Sequence, residues 1–149
     1  MQQDRRKHGM FTPVSSRMSS VYKQVHADTK VSGADPHQLI ALLYDSLKEA
    51  LAKTVGAMER GDAVGKAQAI GHAVRLLEEG LKAGLNTQSG DLAGDTLAAQ
   101  LRDLYDHCVL RLTLANARND VALVHEVRRL IEPLADAWSQ IRDQVKQGG

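Results

Sequence analysis

Residues 35–45 read DPHQLIALLYD, and this stretch starts the first helix of the chain. Asp35 is a good N-cap because its carboxylate accepts hydrogen bonds from the free backbone N–H groups of a first helical turn. Pro36 follows at the first helical position, where its fixed φ suits a helix and its missing N–H costs nothing. Gln38 stands three residues after Asp35, at the return position of a capping box. The stretch therefore predicts a helix that begins at residue 36.

An apolar stripe continues from this start. Ile40 and Val55 lie beside leucines that recur every four residues, namely Leu39, Leu43, Leu47 and Leu51. Residues at this spacing share one face of an α-helix, so the pattern predicts an amphipathic helix. Gly61 follows the stripe, and glycine commonly terminates a helix. The first helix is therefore predicted to run from about residue 36 to residue 59.

Three further helices follow. The second begins after Asp62 and ends at about residues 85–86, and its stripe is Ile70, Val74, Leu77, Leu81 and Leu85. The third spans about residues 92–117, with Leu97, Leu101, Leu104, Tyr105, Cys108, Leu112 and Ala115. The fourth is capped by Asp120 and carries Val124, Val127, Ile131, Leu134, Trp138, Ile141 and Val145. Pro133 lies inside the fourth helix, where its missing N–H predicts a kink.

Long helices joined by short connectors must turn back on one another. The predicted fold is therefore all-α, an antiparallel four-helix bundle over residues 35–147. Residues 1–34 form a polar N-terminal leader rich in Ser, Lys and Gln. Within it, Val21, Tyr22 and Val25 share one face of a short helix that would dock on the body of the protein. A permanently docked strand or turn is the alternative for this segment.

Composition excludes several classes of function. The 149 residues include one cysteine, Cys108, which excludes an internal disulfide and suits the cytoplasm. The net charge is +1 and becomes −1 without residues 1–8, so the body has no electrostatic reason to bind nucleic acid. The basic residues 5–8 (RRKH) are interpreted as a solvated tail. No apolar run is long enough for membrane insertion.

Sequence motifs of catalytic, metal-binding and phosphate-binding sites are also absent. The sequence has no Glu-x-x-His, His-Glu-x-x-His, Cys-x-x-Cys, Gly-x-Ser-x-Gly or phosphate-binding glycine motif. Cys108 lies on an apolar stripe and is interpreted as a small buried hydrophobe. We therefore expect no catalytic, metal-binding or cofactor-binding residues, and the protein is not expected to be an enzyme.

Helices 2 and 3 carry small and apolar residues outside the stripes that are predicted to form the core. Helix 2 carries several glycines and a strip of small residues beside its stripe, formed by Ala69, Ala73, Leu76 and Gly80. The strip indicates either tight packing on a neighbouring helix or a shallow groove for a partner. On helix 3, Leu110 and Leu114 fall off the stripe, which indicates deep burial or an external ligand.

The order of short motifs resembles the flagellar secretion chaperone FliS family. The residues that carry the resemblance are VYKQV (21–25), PHQLI (36–40), LYD (43–45), GLKAGL (80–85), LYD (104–106), AN and ND (115–120), EV (126–127) and AW (137–138). The similarity covers about residues 10–142. The resemblance implies a cytoplasmic export chaperone that binds the disordered C-terminal region of flagellin, prevents premature polymerisation and assists delivery to a component of the flagellar export apparatus.

Two hypotheses about binding follow from the residues and the resemblance together. The segment Val21, Tyr22 and Val25 is expected to act as a movable cap over part of a groove. The partner is expected along Ala69, Ala73, Leu76 and Gly80 together with Leu110 and Leu114. The alternative is a helical module that self-associates, as in a homodimer, or that binds another protein client.

Overall fold

The computed structural model describes residues 36–86 and 88–148. Within them lie four helices: α1 (Pro36–Arg60), α2 (Ala63–Arg75), α3 (Leu92–Arg118) and α4 (Val121–Gly148). A π-helical segment, Leu76–Lys82, continues α2. These residues contain no sheet, so the predicted all-α bundle is confirmed. The cap predicted at Asp35 and the segment Val21, Tyr22 and Val25 lie outside the described residues.

The helices pack in a ring that follows chain order. α1 lies against α2 and α4, and α3 lies against α4, α2 and the π segment. This is the up-and-down arrangement that short connectors favour. Side chains that are no more than 2% exposed fill the centre, and among the largest are Leu43, Tyr44, Leu47, Leu51, Leu76, Leu77, Leu81, Leu112, Val124 and Ile131. The predicted stripes therefore form the core.

The prediction is wrong for two residues of the apolar stripes, which are exposed and not part of the core. Leu97 is 48% exposed and Ile141 is 39% exposed. The π segment ends at Lys82, which lies beside Asp106 of α3. The first turns of α3, which include Leu97, therefore extend beyond the end of the π segment. His37, in the first turn of α1, lies beside Trp138, so the end of α4 extends beyond α1 in the same way. Both residues are exposed because a neighbouring helix ends before reaching them.

Helix ends follow the capping residues of the sequence. Gly61 has φ +70°, and the N–H groups of Gly61 and Asp62 donate to Met58 and Ala57, as in a Schellman motif. α3 ends at Arg118, and its C-cap Asn119 also has a left-handed backbone (φ 53°). The Asp120 carboxylate accepts from the N–H of Ala122 at 3.0 Å, so the cap predicted for the fourth helix is confirmed.

Two helices begin with the pattern Asp-x-x-Gly. The Asp62 carboxylate folds over the first turn of α2 and accepts from the N–H of Gly65 at 2.9 Å. A Cβ added at Gly65 would overlap this carboxylate, and one added at Gly94 would lie 2.7 Å from that of Asp91. Glycine at the third position of α2 therefore makes room for the Asp62 cap, whereas the Asp91 carboxylate makes no capping hydrogen bond to α3. Gly71, by contrast, has nothing within 4 Å of an added Cβ, so close approach does not explain that glycine.

The second helix differs from the prediction at its end. α-Helical bonding stops at Arg75 and gives way to the π segment, and the backbone turns at residues 83–84 rather than 86. The Lys82 ammonium lies 2.7 Å from Asp106 on α3 and 3.3 Å from Glu78, and hydrogen bonding to Asp106 raises its pKa. The π segment is thus fixed to α3 by an ion pair that helical periodicity cannot reveal.

The connector into α3 is organised by one carboxylate. Asp95 accepts from the N–H and hydroxyl of Ser89, at 2.8 and 2.6 Å, and from the N–H of Gly90 at 3.2 Å. These hydrogen bonds lower the pKa of Asp95 below its usual value. The carboxylate therefore satisfies backbone donors that precede the helix.

Candidate partner-binding surfaces

An open groove of about 750 Å³ lies between α1 and α2 in the described part of the chain. We call it the α1–α2 groove. It is lined by Ser46, Glu49, Ala50, Lys53, Ala57 and Arg60 from α1 and by Gly65, Gln68, Ala69 and His72 from α2. Small residues on both facing helices leave this space, because no long side chain fills the gap. The groove lies on the outside of the bundle, between the two helices.

Charged side chains border the groove. Ala50 and Ala57 form the buried floor, at 2% exposure each. The Arg60 guanidinium lies 3.6 Å from the Asp62 carboxylate. Lys53 and Glu49 are exposed and form no ion pair with another residue of the described chain. The accessible surface of the groove is therefore contributed mainly by its polar and charged rim, and Ala50 and Ala57 add little to it.

The predicted strip on the second helix is placed mostly in the core. Ala73 and Leu76 are at most 1% exposed, and Gly80 is also buried. Ala69 alone of the four lines the α1–α2 groove. The π segment widens the turn, so Leu76 and Leu77 face the core together. The strip could indicate tight helix packing or a groove for a partner, and these buried residues fit tight packing. Their contact with a partner stays a prediction.

The two off-stripe leucines of α3 lie on its outer side. Leu110 is 57% exposed, whereas Leu114 is half-buried. Neither residue lines the α1–α2 groove. The six predicted positions therefore do not form one continuous exposed surface. A partner that contacts both Ala69 and Leu110 would have to pass from one side of α2 to the other.

Comparison with known proteins identifies the family. A family model described as flagellar protein FliS matches residues 18–145. The flagellar secretion chaperone FliS of Salmonella typhimurium is 40% identical over 120 residues, which cover 80% of this chain and 86% of that protein. FliSB of Pseudomonas aeruginosa is 38% identical over 120 residues (80% and 91%), and FliS of Escherichia coli is 32% identical over 126 residues (85% and 90%).

This chain belongs to the FliS family. The resemblance stated from the sequence motifs is confirmed, and the relatives are named flagellar secretion chaperones. FliS is a family of chaperones and not of enzymes. In the described part of this FliS chain, no three His, Cys, Asp or Glu side chains are placed to hold a metal ion. None of the described helices is both long and apolar enough to cross a membrane.

The cysteine of this FliS chain is buried. Cys108 has no exposed surface, and burial, with a smaller contribution from Glu126, raises the pKa of its thiol to about 12. The thiol is therefore protonated at neutral pH and is a poor nucleophile. On α4, the Glu126 carboxylate lies 3.2 Å from Nε of Arg111 and 3.5 Å from Nε2 of His107. His107 of α3 thus contacts α4.

A polar network crosses the core of this FliS chain. The hydroxyls of Tyr44 and Tyr105 are hydrogen-bonded, and the Trp138 indole is a further hydrogen-bond partner of Tyr44. The His37 ring lies against Trp138, with 5.6 Å between ring centroids. Helical periodicity places Tyr105 and Trp138 on core stripes but does not reveal this network, because it joins three helices.

Most of the groove was not predicted from the sequence. A signal for its α1 wall is present: Ser46, Ala50, Lys53, Ala57 and Arg60 recur at intervals of three and four residues beside the leucine stripe. This row of small and charged residues lies at the border between the core face and the exposed face of α1. Its partner wall on α2 depends on how the two helices are rotated, which only the structure gives.

Proposed function

We propose that this chain is a cytoplasmic export chaperone that binds the disordered C-terminal region of flagellin. Binding would keep flagellin from polymerising before export and assist its delivery to the export apparatus. The observation that carries the proposal is 40% identity to a flagellar secretion chaperone over 86% of that relative. Catalysis plays no part in this function, and no nucleotide or metal is required.

The described surface supports a binding function. A stable core leaves the α1–α2 groove and the outer face of α3 available to a second chain. A disordered segment that folds on such surfaces gains affinity from apolar burial, offset by the cost of becoming ordered. We further propose that Val21, Tyr22 and Val25 cover part of the binding surface until the client displaces them.

Calorimetric titration with the C-terminal segment of flagellin from the same cell tests the function. A 1:1 isotherm with a negative heat-capacity change is expected, because apolar surface is buried on binding. Absence of heat at several temperatures, with circular dichroism confirming the helical fold, would overturn the proposal.

Replacing Tyr22 with Ala should change both flagellin affinity and hydrogen exchange in the leader if the leader acts as a cap.

Self-association is the second candidate. Exposed leucines on α3 favour it, with Leu92 at 82%, Leu97 at 48% and Leu110 at 57% exposure. Burying these side chains in a homodimer would stabilise the complex through the hydrophobic effect. Light scattering over a hundredfold concentration range separates the candidates, because a dimer dissociates on dilution whereas a 1:1 chaperone need not self-associate.

A further inference from the structure

A row of residues runs along α3 on the side that faces away from the core. Its members follow one another at alternating intervals of four and three residues, the spacing that keeps one face of a helix against a partner helix. Ala99 is half-buried and the other members are exposed, so the described chain does not cover the row. The apolar and small members are Leu92, Thr96, Ala99, Leu110, Thr113 and Ala117.

The row is complementary to itself when its direction is reversed. Leu92 and Ala117 are its two ends, and Ala99 and Leu110 lie at equal distances from its midpoint, between residues 104 and 105. In an antiparallel pair of identical helices, residues at equal distances from the midpoint lie at the same height. Each leucine of the row would therefore face an alanine of the second copy, as knobs face holes between packed helices.

The charges near the midpoint are balanced in the same arrangement. Asp103 and Asp106 occupy the middle of the row. The Asp106 carboxylate lies 2.7 Å from Nζ of Lys82, and that of Asp103 lies 3.9 Å from Nε of Arg102. At about 100° per residue, Arg102 flanks the row on the side of Asp106, so it would lie beside Asp106 of an antiparallel copy. Complementary charge therefore favours a second copy of this chain as the occupant.

We propose that two copies of this chain associate through antiparallel packing of their α3 helices, about a twofold axis at residues 104–105. The interface is isologous, so each contact occurs twice. Leu92 packs on Ala117 of the second copy, and Leu110 packs on Ala99 of the second copy. The proposal rests on self-association, the second candidate function, to which it gives a surface and a register. It does not require flagellin binding.

Cysteine cross-linking tests the register. Thr96 and Thr113 are exposed and lie about 25 Å apart along α3, whereas the native Cys108 is buried. Full-length Thr96→Cys and Thr113→Cys variants are treated with a short bis-maleimide, each alone and as a mixture. In an antiparallel pair residue 96 meets residue 113 and not itself. The mixture should therefore give about tenfold more cross-linked dimer than either variant alone.

The outcomes separate the register from self-association. Cross-linking of each variant with itself as efficient as that of the mixture would overturn the antiparallel register and leave self-association standing. Sedimentation velocity of the parent over about a hundredfold range of concentration measures self-association directly. A folded parent that stays monomeric throughout would overturn self-association, and with it this interface.

A charge reversal tests the contact at the midpoint. Arg102→Glu would place a carboxylate beside Asp106 of the second copy and should weaken self-association about tenfold or more. Arg129→Glu is the matched control, because Arg129 is exposed on α4, outside the row, and the change of charge is the same. Its dissociation constant should stay within about twofold of that of the parent. Equal weakening by both variants, or none by Arg102→Glu, would overturn the proposed interface.

Discussion

The hydroxyl oxygens of Tyr44 and Tyr105 lie 2.5 Å apart and join α1 to α3 across the bundle. Both side chains are at most 2% exposed, so neither hydroxyl can exchange this partner for water. Tyr44 also has Trp138 as a hydrogen-bond partner, and an indole N–H can only donate. Tyr44 is therefore the centre of the network and Tyr105 is its end.

This difference predicts unequal effects of removing each hydroxyl. Tyr44→Phe leaves the Tyr105 hydroxyl buried without its partner and should lower the free energy of unfolding by about 1–3 kcal/mol. Tyr105→Phe leaves Tyr44 with Trp138 and should cost about 1 kcal/mol or less. Urea unfolding followed by the fluorescence of Trp138, the single tryptophan, measures both. Equal losses would contradict the central position of Tyr44.

The same buried groups predict sensitivity to alkali. Burial raises the pKa of Tyr44 to about 12 and that of Tyr105 above its usual range, and it raises the pKa of Cys108 to about 12. In the unfolded chain these groups lose their protons near their ordinary values of 10.0 and 9.0. Their contribution to stability is therefore fully present below about pH 9 and is lost as the pH rises toward 12.

The expected slope can be measured. With three protons held by the folded state and lost by the unfolded state, stability should fall by up to about 4 kcal/mol per pH unit above pH 10. Urea midpoints at intervals between pH 8 and pH 11 give the slope. Tyr105→Phe removes one of the three groups and should reduce it by about one third. A flat profile between pH 9 and pH 11 would show that these groups titrate normally in the folded protein.

Prediction of the fold from local patterns has a physical limit. The stripe through Leu43, Leu47 and Leu51 predicts α1 because burial of a helix face depends on local spacing, and Gly61 and Asp120 mark helix ends through local hydrogen bonds. The π segment ends in an ion pair with a residue 24 positions further along the chain, because Lys82 lies beside Asp106. Such contacts leave no periodic signal.

The candidate site was less predictable for the same reason. Ala69 was identified because small residues repeat at helical spacing, but the same spacing also selected Ala73 and Leu76, which face the core. Periodicity shows which residues share a strip and not which way the strip faces. The rotation of α2 against α1 decides that, and it follows from the packing of the whole bundle.

The outer face of α3 gives a prediction about the partner. Leu110 is 57% exposed, so Leu110→Asp should change the free energy of unfolding by no more than about 0.5 kcal/mol. If the client contacts this face, as we propose, the substitution should weaken binding of the flagellin segment about tenfold. Leu92→Asp is the control, because Leu92 is 82% exposed at the first position of α3, where an acidic residue is tolerated. Unchanged binding by Leu110→Asp would move the partner away from α3.

Two glycines of α2 should respond oppositely to substitution by alanine. Gly71 has nothing within 4 Å of an added Cβ, so Gly71→Ala should raise the free energy of unfolding by about 0.5–1 kcal/mol. Gly65→Ala should lower it by up to about 1 kcal/mol, because the new Cβ would displace the Asp62 carboxylate and loss of the cap outweighs the gain in helix propensity. Thermal and urea unfolding of the two variants against the parent measure the difference.

The cause of the Gly65 effect can be isolated in a second background. Asp62→Ala removes the carboxylate that an added Cβ would meet, so Gly65→Ala should become stabilising there, by an amount similar to that of Gly71→Ala. The coupling free energy of this cycle would then measure the steric conflict between the cap and the Cβ. If Gly65→Ala remains destabilising without the carboxylate, the glycine is required by something other than the Asp62 cap.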